Sequence, residues 1–187
     1  AQVDTPYAVV RGPDGALYFT ESGGHRVRKI LKDGTLVPVA GTGKRAYEGD
    51  RGSALQAALN MPNEIRFDPF GNLYIADMGN HVVRKVDAKT GIISTVAGTG
   101  LANFGGDGGP AIIAYLRQPH SIQFSRDACM YICDIGNNVI RRMNMDSGII
   151  STFAGTGSPG TTPDGAPIQG TPLKGPRALD VLSLIHI

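Results

Sequence analysis

The fold is decided by residues 62–100, which read PNEIRFDPFGNLYIADMGNHVVRKVDAKTGIISTVAGTG. This stretch contains four short apolar runs, and Gly, Pro, Asn or Asp residues separate them. The runs are residues 64–67, 73–76, 82–86 and 92–96. Runs of this length that are rich in Val, Ile, Tyr and Phe and bounded by turn residues are typical of β-strands. The stretch therefore predicts a four-stranded antiparallel meander.

The same pattern recurs along the chain at a nearly constant interval. A proline begins each copy, and these prolines are Pro6, Pro62, Pro119 and Pro176. Four strands in a repeat unit of this length are typical of a propeller blade. Blades are covered on both faces by their neighbours, which explains why the strands are nearly continuous apolar runs.

The repeats predict an all-β fold that is a β-propeller fragment. We expect three four-stranded antiparallel blades, at about residues 6–43, 62–100 and 119–157, and the first strand of a fourth blade starting at residue 176. These units together form one domain over residues 1–181. The last six residues, 182–187, break the pattern, and we expect them to be a non-native tail.

Composition excludes several classes of protein. The chain has 187 residues with a net charge of +2, so its overall charge does not favour nucleic-acid binding. No apolar run approaches the ~18 residues of a membrane span. Cys129 and Cys133 lie four apart on a predicted strand, roughly 13 Å between Cα atoms, which is too far for a disulfide. Two cysteines are also too few for a zinc site by themselves.

The repeated motifs resemble those of the NHL-repeat family. The best copy is Gly71-Asn72-Leu73-Tyr74-Ile75-Ala76-Asp77-Met78-Gly79-Asn80-His81, followed by Val82-Val83-Arg84-Lys85-Val86. The long linkers, with Ala-Gly-Thr-Gly leading into Gly-Asp-Gly-Gly-Pro-Ala at residues 106–111, resemble a subtype found in exported bacterial proteins and teneurin-like cell-surface proteins. The resemblance implies that the full protein closes as a six-bladed ring. It also implies an extracellular or periplasmic location.

Acids recur at the end of each second strand, as Glu21, Asp77 and Asp134. One interpretation is a ring of carboxylates. The interpretation we prefer is that each acid accepts backbone N–H bonds in the following turn, because a catalytic residue is normally present once rather than in every blade.

Arginines recur in each third strand, as Arg28, Arg84 and Arg141. One interpretation is a basic stripe for RNA phosphates. The interpretation we prefer is structural: the arginines pair with the recurring acids of neighbouring blades or lie on solvated rims. No interleaved set of exposed aromatic residues for base stacking accompanies them.

Two further sets of polar residues recur, and each has a functional and a structural interpretation. His25 and His81 align with Asn138, which favours a polar turn group over a metal ligand. The acids among the glycines of the linkers could hold Ca²⁺, but each linker supplies few carboxylates, so a structural turn is preferred. These linker acids are Asp50, Asp107 and Asp164.

The positions that differ between copies are the better candidates for ligand contact. They lie just after the repeated prolines, where the first strands of a propeller converge on the central channel. The candidate set at this channel mouth is Tyr7, Asn63, Glu64, His120, Ser121 and Arg177. An ordinary polar rim is the alternative interpretation.

The sequence favours a non-catalytic binding module that presents a rigid propeller surface to a protein or carbohydrate partner. We predict no catalytic residue, no metal site and no cofactor. One alternative is a metal-dependent lyase or lactonase-like hydrolase, in which Glu64 and His120 join further acids or histidines from other blades. A second alternative is single-stranded RNA binding.

Overall fold

The computed structural model describes residues 2–181, so the predicted tail at 182–187 lies outside the described residues. Twelve strands form three separate four-stranded antiparallel sheets in this part of the chain, each in sequential order. We call these sheets blades 1, 2 and 3. The predicted all-β fold of four-stranded antiparallel blades is therefore confirmed. No helix among the described residues is long and apolar enough to cross a membrane.

The strands begin and end close to the predicted runs. Blade 1 consists of β1 (Pro6–Arg11), β2 (Leu17–Glu21), β3 (Arg26–Ile30) and β4 (Leu36–Ala40). Blade 2 consists of β5 (Pro62–Phe67), β6 (Leu73–Asp77), β7 (Val82–Val86) and β8 (Ile93–Ala97). Blade 3 consists of β9 (Pro119–Phe124), β10 (Cys129–Asp134), β11 (Val139–Asn144) and β12 (Ile150–Ala154).

Blade 2 is packed on both faces. Ile65 and Ile75 lie on one face against Val27 of blade 1, and Tyr74 lies on the other face against Ile122 of blade 3. Edge-to-face pairs repeat this arrangement, with ring centroids 4.9 Å apart in both Tyr18–Phe67 and Tyr74–Phe124. Burying each large apolar side chain stabilises the fold by about 1.5–3 kcal/mol. The blades are therefore held together mainly by apolar contacts between their broad faces.

The linkers cover the outer edges of the blades that follow them. In linker 44–61, Arg51 N–H donates to Ile93 O at 2.7 Å, and Ile93 N–H donates to Gly52 O at 3.0 Å. Linker 101–118 repeats the pattern on blade 3, where Gly108 N–H donates to Ile150 O at 2.8 Å. Each linker thus satisfies groups of an outer strand that would otherwise be an open edge.

Short 3₁₀ turns fasten the linkers to the core. They span Ala54–Gln56 and Ala111–Ile113, and the nearby Leu59 and Leu116 are fully buried. The turn anchors the middle of each linker, and the leucine anchors its end.

Two turn and edge positions show why the repeats tolerate unusual residues. Pro38 lies on the outer strand β4, where a missing N–H is tolerated. The turn at Ala128 has a φ of 53°, so this residue takes the left-handed conformation that Gly15 and Gly71 take in the other blades.

The structure differs from the prediction at residues 176–181, which form no strand. The physical reason is that a first strand is defined by its pairing with a second strand, as β5 pairs with β6. No second strand faces this segment among the described residues. It lies against blade 3 instead, where Gln123 Nε2 donates to Asp180 Oδ1 at 2.8 Å.

Candidate functional site

The first strands of the three blades bring the channel-mouth residues toward one another. Strand β5 contacts both β1 and β9, so β1, β5 and β9 form the innermost layer of the described blades. The prolines that begin these strands lie at the same end of the layer, because each pairs with the acid that ends its own second strand, as Pro62 does with Asp77. The variable positions after the prolines therefore lie at one end of this inner layer.

Tyr7, His120 and Arg177 are joined directly. The Tyr7 hydroxyl lies 3.0 Å from His120 Nε2, and the two rings meet edge to face with centroids 5.2 Å apart. His120 Nδ1 lies 2.8 Å from the carbonyl oxygen of Arg177. A carbonyl can only accept, so Nδ1 carries the proton and Nε2 accepts from the Tyr7 hydroxyl. Burial lowers the pKa of His120 and favours this neutral form.

The contact between Tyr7 and His120 joins blade 1 to blade 3. Tyr7 is 52% exposed, whereas His120 is buried. The arrangement presents an aromatic ring to solvent at this end of the inner layer, and the buried His120 holds the ring in place. The Arg177 side chain is exposed, and its carbonyl rather than its guanidinium makes the contact described above.

Asn63 lies apart from that group. It is buried between blades 1 and 2, where Ser22 Oγ donates to Asn63 Oδ1 at 3.2 Å. Its amide nitrogen points at Met78 Sδ, 3.2 Å away. Asn63 therefore joins two blades, and its side chain has little exposure to a ligand.

Glu64 and Ser121 form a second group on the inner layer. Glu64 pairs with Arg66, two positions further along β5. Burial raises the pKa of Glu64, while Arg66 and the Ser121 hydroxyl lower it. Cys133, which faces Ser121 across the β9–β10 pair, is buried, and burial raises the pKa of its thiol to about 12, with Glu64 adding to the shift. The partner Arg66 was not among the predicted site residues, although its spacing places it on the same face of the strand as Glu64.

The recurring acids accept hydrogen bonds, but the main donor differs from the prediction. In blades 2 and 3 the acids accept from Asn80 Nδ2 and Asn137 Nδ2, both at 2.8 Å. In all three blades they also accept from a backbone N–H of the chain that enters the blade. These pairs of donor and acceptor are Asp4 with Glu21, Asn60 with Asp77, and Arg117 with Asp134. The predicted bonds from turn N–H groups are wrong, because the backbone donor to each carboxylate belongs to the incoming chain.

Burial opposes the charge of these acids. It raises the pKa of Asp77 to about 7 and that of Asp134 to about 6, against the lowering effect of the donors around them. Every neighbour named for these carboxylates is a donor or a cation. They are therefore held within the fold and are not free to act on a ligand.

The arginines pair differently from the prediction as well. Arg84 is fully buried, and it lies 2.7 Å from Asp50 of the preceding linker and 3.6 Å from Asp77 of its own blade. Arg141 repeats this arrangement, with Asp107 at 2.6 Å and the acid of its own blade at 3.8 Å. The pairing is thus with the acid of the same blade and a linker acid, rather than between blades.

The linker acids of blades 2 and 3 therefore have a role that the turn prediction missed. Asp50 precedes Arg84 by the same interval at which Asp107 precedes Arg141, and this constant spacing could have indicated the pairs. The rings of Tyr47 and Phe104 stack on the same guanidinium groups, with ring centroids 5.3 and 5.5 Å away. Fully buried arginines cannot contact RNA phosphates, so these residues do not supply a basic stripe.

The histidines His25 and His81 accept hydrogen bonds, as a polar turn group would. Met61 N–H donates to His25 Nδ1, and Gln118 N–H donates to His81 Nδ1, both at 3.1 Å. In blade 3, Asn138 Oδ1 accepts from a backbone N–H at 3.0 Å, so the amide replaces the imidazole. Among residues 2–181, no cluster of three His, Cys, Asp or Glu side chains forms a metal site.

Comparison with known proteins relates these repeats to named relatives. No family model matches the chain. It is 29% identical over 175 residues to NHL repeat-containing protein 2 of Bos taurus, which covers 89% of this chain and 24% of the relative. It is 29% identical over 107 residues to teneurin-3 of Mus musculus, covering 50% of this chain and 4% of the relative. The chain thus spans about a quarter or less of these relatives.

Solved structures show the same architecture. A protein of unknown function from Bacteroides thetaiotaomicron matches with a TM-score of 0.60 and 27% identity, covering 68% of this chain and 32% of that one. A catalytically inactive virginiamycin B lyase from Staphylococcus aureus, solved with quinupristin, matches with a TM-score of 0.51 and 25% identity, covering 79% and 40%. The predicted resemblance of this chain to the NHL-repeat β-propeller proteins is therefore confirmed in both sequence and fold.

Proposed function

We propose that this chain is part of a non-catalytic binding module whose channel mouth contacts a carbohydrate or protein partner. The observation that supports the proposal is the Tyr7–His120 contact, which fixes an exposed aromatic ring between blades 1 and 3. A rigid Tyr offers both an apolar face and a hydroxyl at little cost in conformational entropy. A six-bladed ring and an extracellular or periplasmic location are part of the same proposal.

The other polar groups near the mouth suit recognition better than chemistry. Both His120 nitrogens have partners, and Glu64 is paired with Arg66. Neither group is free to act as a general base on a bound molecule, since a base must reach the proton that it removes. The exposed Arg177 side chain adds a cation at the rim.

Tyr7→Ala tests the proposal, because it removes the exposed ring and leaves His120 in its buried position. The probes are a microarray of neutral and acidic oligosaccharides and a phage-displayed peptide library, each screened with the full 187-residue chain. The first probe tests a carbohydrate partner and the second a protein partner. We expect a probe from one of the two sets to bind the parent chain and to bind the variant at least tenfold more weakly.

Leu101→Ala is the matched control, because Leu101 is also exposed but lies in a linker. It should leave binding unchanged. Equal affinity of the parent chain and Tyr7→Ala for every selected probe would refute the channel mouth as the binding site.

A lyase activity is the second candidate, favoured by the 25% identity to virginiamycin B lyase. Such an enzyme would use Glu64 with groups from further blades, and a divalent cation would complete the site. The test is incubation with quinupristin, with and without Mg²⁺, followed by mass spectrometry. Mg²⁺-dependent loss of quinupristin that Glu64→Gln abolishes would support the lyase, and unchanged quinupristin would favour the binding module.

A further inference from the structure

One turn position departs from the repeat and leaves a basic side chain without its acidic partner. Acids occupy this position between the first and second strands of blades 1 and 3, and Phe70 occupies it in blade 2. Asp14 of blade 1 lies 2.8 Å from Lys29, and Asp127 of blade 3 lies 2.9 Å from Arg142. Lys85 occupies the position of Lys29 and Arg142 in blade 2.

Lys85 has no carboxylate partner within ion-pair distance among residues 2–181. Its Nζ lies 5.9 Å from the centroid of the Tyr74 ring, and the residue is half-buried. Phe70, which replaces the acid, is 85% exposed, and no other large apolar residue of the described chain is as exposed. Blade 2 has therefore exchanged a surface ion pair for an exposed aromatic ring beside an unpaired ammonium group.

These two residues border a groove between blades 2 and 3 that has a cavity volume of 620 Å³. Tyr74 and Phe124 form its apolar floor as an edge-to-face pair, and Met145 lines it from blade 3. The volume is within the usual range for small-molecule sites, and so is the mixture of aromatic walls with a few polar groups. The groove lies at the end of β5 opposite the channel mouth.

The acids of blade 2 that lie near Lys85 are occupied by their own turns. Asp68 accepts from Phe70 N–H at 2.9 Å and from Asn72 Nδ2 at 2.7 Å. Asp87 accepts from Thr90 N–H at 2.9 Å. Neither carboxylate lies within ion-pair distance of the Lys85 ammonium group.

The charges that line the groove cancel, because Asp68 and Asp146 balance Lys85 and Arg126. A preference for an anion therefore depends on Lys85 itself. None of the acids lies within ion-pair distance of its ammonium group, so a ligand carboxylate can form the charge-assisted hydrogen bond that the acids of blades 1 and 3 form in their own turns.

We propose that the groove between blades 2 and 3 binds a small aromatic carboxylate, with Lys85 pairing with the carboxylate and Phe70, Tyr74 and Phe124 contacting the ring. A flat ring matches the aromatic walls, and the carboxylate replaces the acid that blades 1 and 3 carry in their own turns. The groove between blades 1 and 2 is not equivalent, because an acid of blade 1 already pairs with Lys29.

The test is a titration of the isotope-labelled full chain with 2-naphthoate, followed by NMR chemical shifts. We expect saturable shifts at groove residues, with a roughly millimolar dissociation constant as befits a small ligand. The neutral probe 2-naphthamide, which has the same ring, should bind at least fivefold more weakly.

Phe70→Asp restores the acid of the other blades and should weaken 2-naphthoate binding at least tenfold, since the new carboxylate pairs with Lys85. Lys85→Met should abolish the preference for the carboxylate over the amide, and Lys29→Met is the control that should leave binding unchanged. All three positions are at least partly exposed, so these variants should fold. Equal binding of the two probes, undiminished binding by Phe70→Asp, or no saturable shift would each overturn the proposal.

Discussion

Blades 1 and 2 share the sequence Val-Arg-Lys in their third strands, yet their arginines have different surroundings. Arg84 of blade 2 is fully buried and pairs with two acids, Asp50 and Asp77. Arg28 of blade 1 is 14% exposed in its side chain, and Glu21 at 3.4 Å is its acidic partner. In blade 2 the second acid comes from linker 44–61, which lies against the blade and brings Asp50 to the arginine.

The outer strands of the two blades also differ in their contact with a linker acid. In blade 2, Thr95 N–H donates to Asp50 Oδ2 at 3.1 Å, so that one linker acid binds both the third and the fourth strand. The equivalent residue of blade 1 is Pro38, which has no N–H to donate. The comparison teaches that, among the described residues, the third-strand arginine is fully buried in the two blades where a linker acid pairs with it.

Arg84→Ala should have the largest effect on this comparison. It leaves Asp77 buried without its cation, and removing one partner of a buried pair costs about 3–5 kcal/mol. The free energy of unfolding, measured by urea titration, should fall by this amount. Arg28→Ala is the matched control, and because its pair is partly exposed the loss should be at most about 1 kcal/mol. Similar losses for the two variants would contradict the difference between the blades.

Asp50→Ala should have an intermediate effect. It removes the bonds to Arg84 and to Thr95 N–H, but the Asp50 side chain is 37% exposed, so solvent screens part of the interaction. We expect the free energy of unfolding to fall by about 1–2 kcal/mol. Asp164 is the equivalent acid of the third linker and has no ion pair among the described residues. Asp164→Ala should therefore be nearly neutral, and a comparable loss would argue against the role of Asp50.

His81→Asn should have the smallest effect, and it should depend on pH. The amide can accept from Gln118 N–H, as Asn138 accepts from Gly175 N–H. At pH 7.5 the free energy of unfolding should therefore change by less than the contribution of one hydrogen bond, which is about 0.5–1.5 kcal/mol. Burial lowers the pKa of His81, with Arg117 adding to the shift.

The direction of the pH effect follows from that lowered pKa. The stability that neutral His81 contributes is complete above its unfolded pKa, near 6.5, and is lost as the pH falls through its lower folded pKa. Urea titrations at pH 7.5 and pH 5 should therefore show a smaller acid-induced loss for His81→Asn than for the parent chain. An equal loss in both proteins would show that His81 does not contribute.

Much of the fold could be predicted, because strand periodicity and turn residues are local signals. The predicted run 82–86 coincides with β7, and the run 92–96 is displaced by one position from β8. The segment at 176–181 was not predictable in the same way, since the pairing that makes a strand depends on residues elsewhere in the chain.

The candidate site was predicted less completely. The convergence of Tyr7 and His120 follows from the position of first strands in a propeller, and the structure brings the two side chains together. The burial of Asn63 could not be anticipated, because it depends on Ser22 and Met78 of two different blades. The pairing of linker acids with third-strand arginines was missed because it links a turn to a strand, and only its recurrence at a constant spacing indicates it.

The linkers cover the outer edges of blades 2 and 3, and this has a consequence for how arrays of such repeats can be lengthened. The natural unit is a linker with the blade that follows it, residues 44–100 or 101–157, and the two units are equal in length. A duplication or deletion cut at the Gly-Thr-Gly that ends a blade would transfer the arginine together with its acid and its aromatic cover. A cut at the proline that begins the blade would separate them, so engineered arrays of these repeats should be joined after Gly43, Gly100 or Gly157.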